Sequence, residues 1–220
     1  AATSTATPVK PLHGIRVLDL GTGAVVPELA SLMSMLGAEV IKIESMRYPD
    51  FLRRGGIGVL GDPNTSPSGN QMNLGVLSCA IDMSCESGRE LARRLVPHCD
   101  IIMENMRGGV VQSWGLDYEG ARALRPNIIY VSSQGLGEGV YNRYQTYGPN
   151  LQAFSGITSQ WAHPDDPYAT GTGLNHPDHL AGKQIYSAVM GALLRRARTG
   201  EGLFIDAAQF EFASATIADK

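Results

Sequence analysis

The sequence predicts an α/β fold: a doubly wound parallel sheet with helices on both faces. Three observations predict it. Short apolar runs with β-branched members recur along the chain, glycine or proline interrupts them, and segments with helical spacing of apolar residues lie between. A parallel sheet demands this alternation, because each strand returns through a crossover long enough to hold a helix. With 220 residues, 43% hydrophobic and 18% charged, the chain has the composition of an ordinary globular protein and can bury a sizeable core.

The elements follow in order. Residues 1–10 (AATSTATPVK) are small and polar without an apolar core, and read as a loose leader, not a secretory signal. Residues 15–20 (IRVLDL) form a buried strand, which Gly21-Thr22-Gly23 breaks. Pro27 sits where a helix can begin; Leu29, Leu32, Met33 and Leu36 give it an apolar stripe, and Gly37 stops it. Residues 38–44 (AEVIKIE) are a second strand, completing a strand–helix–strand unit. Residues 47–75 are rich in Gly, Pro, Ser and Asn and read as a long loop of the kind that is usually functional. Alternation then resumes. Residues 76–82 are a strand, 86–96 a helix, 100–104 a strand, 110–114 and 118–124 short helices, and 127–132 a strand. Residues 135–178 read mostly as loop. A long helix spans about 179–198, with Ala181, Ile185, Ala188, Val189 and Ala192 as its apolar stripe and arginines at the negative end of its dipole. Gly200 ends it, 203–207 is a last strand, and a new helical segment starts as the chain stops, which reads as a fragment or processed chain.

Several function classes fall away on composition. A net charge of -3 gives no basic footprint for nucleic acid, so a polyanionic ligand must be held by local donors. No apolar run approaches the roughly 20 residues of a membrane span. Cys79, Cys85 and Cys99 are odd in number with no C-x-x-C spacing, which argues against a disulfide framework and a zinc site and for a reduced, cytoplasmic setting. The Gly21-Thr22-Gly23 turn, with Glu44 beyond it, invites a dinucleotide reading. That fingerprint is incomplete: its third glycine falls at Val26, and Pro27 removes an N–H that would face a pyrophosphate.

Read together, the segments resemble a known family. Residues 11–44 (PLHGIRVLDLGTGAVVPELASLMSMLGAEVIKIE) are similar to the opening of class III CoA-transferases, the carnitine, bile-acid and formyl-CoA transferase group. The similarity continues through Ala80-Ile81-Asp82-Met83, Ile102-Met103-Glu104-Asn105, Trp114-Gly115-Leu116 and residues 125–130 (RPNIIY). It closes with Asp178-His179-Leu180-Ala181-Gly182 and residues 198–202 (RTGEG), collinear from about residue 11 to the end. The resemblance implies a Rossmann-like CoA-binding domain over residues 11–220, without the family's smaller second domain. It implies no tightly bound cofactor: coenzyme A and acyl-CoA are substrates, a carboxylic acid is the acceptor, and the assembly is an interlocked homodimer or a hetero-oligomer with a related subunit.

The resemblance also implies site residues. Asp178, in the D-x-x-A-G context, is the nucleophile; without that context it reads as a helix-capping aspartate. Ile81 falls at the strand end that faces adenine, and Asn105 and Met106 where the family contacts CoA. Asn105 taken alone is a turn-capping residue. Some family features are missing: a polar residue of the first loop is replaced by Ala24, and basic residues near the phosphates by Ser45, Ser84 and Ser113, leaving Arg47, Arg53, Arg54 or Arg107 as substitutes. Two rival readings stay open. An acyl-CoA racemase shares this fold, but its His-Asp element corresponds here to Tyr147 and Gly148, with His176 and His179 flanking Asp178 instead. A non-catalytic CoA-binding subunit is the other. Residues 161–180, with Trp161 and Tyr168, look closest to the branch acting on aryl- or alkyl-substituted succinates with succinyl-CoA as donor, and Tyr147 is a third ring for an aromatic pocket.

Overall fold

The structure is a computed structural model that describes residues 9–54, 62–165, 168 and 171–219. Six strands form one sheet: β1 (Arg16–Asp19), β2 (Glu39–Glu44), β3 (Leu77–Ala80), β4 (Ile101–Glu104), β5 (Ile129–Ser132) and β6 (Leu203–Asp206). Their order is β3-β2-β1-β4-β5-β6, and every neighbouring pair is parallel. This is the order of a doubly wound sheet whose winding reverses between β1 and β4, the place where such folds open a ligand crevice.

The strands alternate their side chains between two apolar layers. Val17, Val40, Ile101, Met103, Ile129 and Val131 face one layer, against α1 (Val25–Met35) and α8 (His176–Thr199). Leu18, Ile43, Ile102, Ile128 and Tyr130 face the other, against α4 (Glu86–Leu95) and α6 (Tyr118–Leu124). Each fully buried Leu, Ile or Val contributes roughly 1.5–3 kcal/mol, so the alternation fixes both faces and the register. In α8 the stripe is Ala181, Ile185, Val189 and Ala192 as expected, whereas Ala188 is exposed, lying on the turn that faces away. Among the described residues no helix is long and apolar enough to cross a membrane.

Three expectations are corrected. The stretch read as one long loop holds the short helices α2 (Phe51–Arg54) and α3 (Pro67–Met72); its residues 55–61 lie outside the described residues. Ser66 caps α3 by accepting the Gly69 N–H at 3.2 Å, and Pro67 occupies the first turn, where its missing N–H costs nothing. The stretch 135–178 holds α7 (Gly148–Phe154), again with a proline in its first turn. The long helix begins at His176, not 179, so Asp178 is its third residue and Asn175 stands at the cap position. Two further helices, α5 (Val110–Trp114) and α9 (Gln209–Ala215), complete the set used below. Of the expected leader, residues 1–8 lie outside the described residues.

Candidate active site

The C-terminal ends of the strands converge on a cleft of about 820 Å³. Asp178, Ile81, Asn105 and Met106 all line it, although they come from the first turn of α8 and from loops after β3 and β4. Alignment of the strands achieves this, because in a parallel sheet every strand delivers its C-terminal loop to one edge.

The floor of the cleft is the loop between β1 and α1. Its three successive N–H groups are each taken by a side chain: Gly21 donates to Asp19 Oδ1 at 2.7 Å, Thr22 to Asn105 Oδ1 at 2.9 Å, and Gly23 to Asp50 at 3.1 and 3.2 Å. A pyrophosphate-cradling loop needs those groups free, so the incomplete fingerprint is matched by a loop that serves another purpose. Asn105 completes a two-way clip across the β1–β4 crevice, its Nδ2 donating to the Thr22 carbonyl at 2.6 Å. Beneath the loop, Lys42 is only 1% exposed; its ammonium donates to the Gly21 carbonyl at 2.7 Å and pairs with Asp50 at 3.3 Å and Asp19 at 3.5 Å. Burial pushes the Asp19 carboxyl up from its ordinary value, and Lys42 and the Gly21 N–H oppose that rise. Gly23 has φ of +75°, and a Cβ there would overlap the Phe51 ring, so only glycine suits both the backbone and the contact.

Asp178 is set apart by what it lacks. Among the described residues no hydrogen bond reaches its carboxylate, while its backbone N–H goes to the Asn175 carbonyl at 3.1 Å. Burial pushes its pKa up to about 6; neighbouring His179 opposes the rise and the Glu28 carboxylate adds to it. A carboxylate that is ionised at neutral pH, poorly solvated and open to a cleft is basic enough to attack and free to do so. The α8 residue Gly182 faces α1, and a Cβ there would sit in ordinary contact, 3.4 Å from the Val25 carbonyl oxygen. Glu104 is a further buried acid, pushed up to about 7 by burial against hydrogen bonds from Ser132 and the Met106 N–H, which it accepts at 2.7 Å. Its carboxylate supports the Asn105–Met106 turn from below.

The cationic side chains at the cleft are Lys42, Arg89 and Arg107. Of the four arginines named from sequence, only Arg107 lines it. Arg53 is held by both oxygens of Glu44 at 2.8 and 2.9 Å, Arg47 lies 3.8 Å from Asp82, and Arg54 donates to the Arg47 carbonyl. Arg89 was missed by sequence reasoning; from α4 it reaches the Met83 and Ser84 carbonyls at 3.0 and 3.2 Å. Ala24, Ser45 and Ser84 line the cleft and Ser113 does not. Tyr147 lines it and meets Phe51 edge-on with centroids 6.3 Å apart. Trp161 instead stacks edge-on against His176 at 4.8 Å, and His179 pairs with Glu28; neither histidine lines the cleft. Tyr168 is 79% exposed and away from it.

Known proteins resemble this chain over nearly its whole length. The sequence profile described as CoA-transferase family III matches residues 12–220. A succinate–glutarate CoA-transferase of Agrobacterium fabrum is 33% identical over 96% of this chain and 54% of its own length. A succinyl-CoA–D-citramalate CoA-transferase of Chloroflexus aurantiacus is 33% identical over 93% of this chain and 50% of its own. The chain thus spans about half the length of these curated relatives. Among solved structures, a CAIB/BAIF family protein from Brucella suis superposes with a TM-score of 0.88 at 34% identity, over 96% of this chain and 56% of that one.

Proposed function

Because the chain belongs to CoA-transferase family III, we propose that it moves coenzyme A from an acyl-CoA donor, succinyl-CoA, to a carboxylic acid through a covalent intermediate on Asp178. The observation that carries this reading is the Asp178 carboxylate itself: desolvated, without an internal donor, and open to the cleft that also holds Ile81, Asn105 and Met106.

In the proposed cycle an Asp178 oxygen attacks the thioester carbon and expels CoA as thiolate, giving a mixed anhydride. The thiolate attacks the aspartyl carbonyl carbon, which forms an aspartyl-CoA thioester and frees the donor acid as carboxylate. The acceptor carboxylate attacks that thioester and expels thiolate again. The thiolate then takes the acceptor's acyl carbon, and Asp178 is restored. Thioesters are exchanged and no net proton is gained or lost. Each tetrahedral intermediate needs donors for its oxyanion. Ala24, at the start of α1 with no side chain capping it, lines the same cleft and supports placing that helix end there. On this reading Ile81 meets the adenine, Asn105 and Met106 meet the CoA chain, and Arg89 and Arg107 serve its phosphates.

The acceptor in this reading is an aryl- or alkyl-substituted succinate. The Phe51–Tyr147 pair on the cleft wall supports an apolar substituent, and relatives named for succinate, glutarate and citramalate support a dicarboxylate. Association with a second chain, identical or related, belongs to the same reading. Leu74 and Leu77 beside the β3 edge, 58% and 55% exposed, are apolar surface it would cover.

Chromatography of CoA esters tests the reading. Incubation with succinyl-CoA and a panel of benzylsuccinate, glutarate and citramalate is expected to yield the acceptor's CoA ester with free succinate, and none with Asp178→Ala. Preference for glutarate over benzylsuccinate would retire the acceptor assignment alone. No transfer to any acid would count against the transferase.

A further inference from the structure

The thioester chemistry leaves one charged constellation beside Asp178 unused. Glu28 is the only charged residue of α1. Its Oε2 lies 2.5 Å from Nδ1 of His179, the residue that follows Asp178, and its Oε1 lies 3.4 Å from the Lys183 ammonium one turn further along α8. The pair is part-buried, with His179 33% and Glu28 26% exposed. It joins α1 to the first turn of α8, one turn before Gly182 faces the Val25 carbonyl. Because a carboxylate only accepts, the imidazole carries its proton on Nδ1, and that bond fixes the ring's orientation and the turn that bears it.

We propose that Glu28 and His179 are a positioning pair for the nucleophile: their hydrogen bond locks the first turn of α8 against α1 and so holds the Asp178 carboxylate toward the cleft. This rests on the reading of Asp178 as nucleophile. The surrounding elements leave the role to these two. Of the elements packed on α8, α1 brings Glu28, α7 brings no charged residue, β5 brings Tyr130, β6 Asp206 and α9 Glu211; α8 itself adds His176, Lys183 and Tyr186 and, at its far end, Arg195, Arg196 and Arg198. Among the described residues only His179 and Glu28 act on Asp178 through charge, in opposite directions. The balance leaves a carboxylate that is ionised at neutral pH yet more basic than a solvated one.

The test compares the chain with His179→Asn and His179→Phe. Asparagine can keep a donor near the Nδ1 position, whereas phenylalanine cannot. Carbon-13 titration of the Asp178 carboxyl, assigned by its absence in Asp178→Asn, needs no turnover. Its midpoint is expected to rise by about 0.5–1 pH unit in both variants, since each removes the His179 interaction that opposes the rise. Single-turnover formation of acyl-aspartate from succinyl-CoA, at a pH above the midpoint, should stay within roughly threefold in His179→Asn. It should fall about tenfold in His179→Phe, with CoA affinity by calorimetry unchanged in both. Unmoved midpoints, equal rates for the two variants, or CoA affinity lost in step with rate would each overturn the proposal. Absence of acyl-aspartate in the unaltered chain would instead overturn the transferase reading, and the titration would still decide whether the pair governs Asp178.

Discussion

At the scale of single residues, the proposed nucleophile Asp178 is held against stability. Its folded pKa is about 6 against an ordinary 3.8. A carboxyl raised on folding stabilises the fold in full below its unfolded pKa, and that contribution is lost as pH rises through about 6. Asp178→Asn should therefore be more stable than the unaltered chain at pH about 7.5, by about 1–3 kcal/mol, with the gain fading below pH about 4. Denaturant titration at both values reads this, and equal stability would mean that the carboxylate is well solvated. The same pKa sets the acid limb of transfer, whose rate should decline below pH about 6 as the nucleophile is protonated. That Asp178, Ile81, Asn105 and Met106 would meet in one cleft was legible from the resemblance of their flanking motifs to a family. Lys42, Asp50 and Arg89 were not. The contacts of Lys42 span 23 residues to Asp19 and 21 to Gly21 and arise only once β2 pairs with β1. Arg125, one of the motif residues, works at the opposite end of the sheet, where it and Arg196 hold Asp100 at 2.7 and 3.1 Å.

At the scale of elements, the β1–α1 loop is held in its shape by three side chains from three places. Lys42→Met would leave Asp19 and Asp50 buried without their counter-charge, and should cost about 3–5 kcal/mol by denaturant titration. A loss under about 1 kcal/mol would show that the carboxylates had simply taken up protons. Asn105→Ala removes both bonds to Thr22 and should weaken CoA binding at least several-fold in calorimetry while costing only about 1–3 kcal/mol of stability. CoA affinity unchanged in that variant would confine Asn105 to the fold. Strand–helix alternation was legible because continuous apolar runs with β-branched members differ plainly in the sequence from apolar residues at helical spacing. The short helices α2, α3 and α7 were hidden in Gly-, Pro- and Asn-rich stretches. Their starts depend on caps such as Ser66 and on first-turn prolines, which in sequence look like loop. The start of α8 was hidden for the same reason, since Pro177 sits inside its first turn.

At the scale of the whole molecule, the fold class and all the strands followed from the sequence, but their order did not. The order β3-β2-β1-β4-β5-β6 places the reversal between β1 and β4, whose paired residues Asp19 and Met103 lie 84 positions apart in the chain, and no local pattern encodes such a choice. That order makes the site: it sets the Gly21–Gly23 loop beside Asn105 and brings α8 over α1, so that Asp178 opens on the crevice. On the proposed reading this arrangement makes Asp178 a covalent carrier. Peptide mass spectrometry after mixing with succinyl-CoA and quenching in hydroxylamine detects that carrier. A hydroxamate is expected on the peptide containing Asp178, absent without the thioester and absent from Asp178→Ala. An unmodified Asp178 peptide across several acyl-CoA donors, from a chain shown to bind CoA, would contradict it.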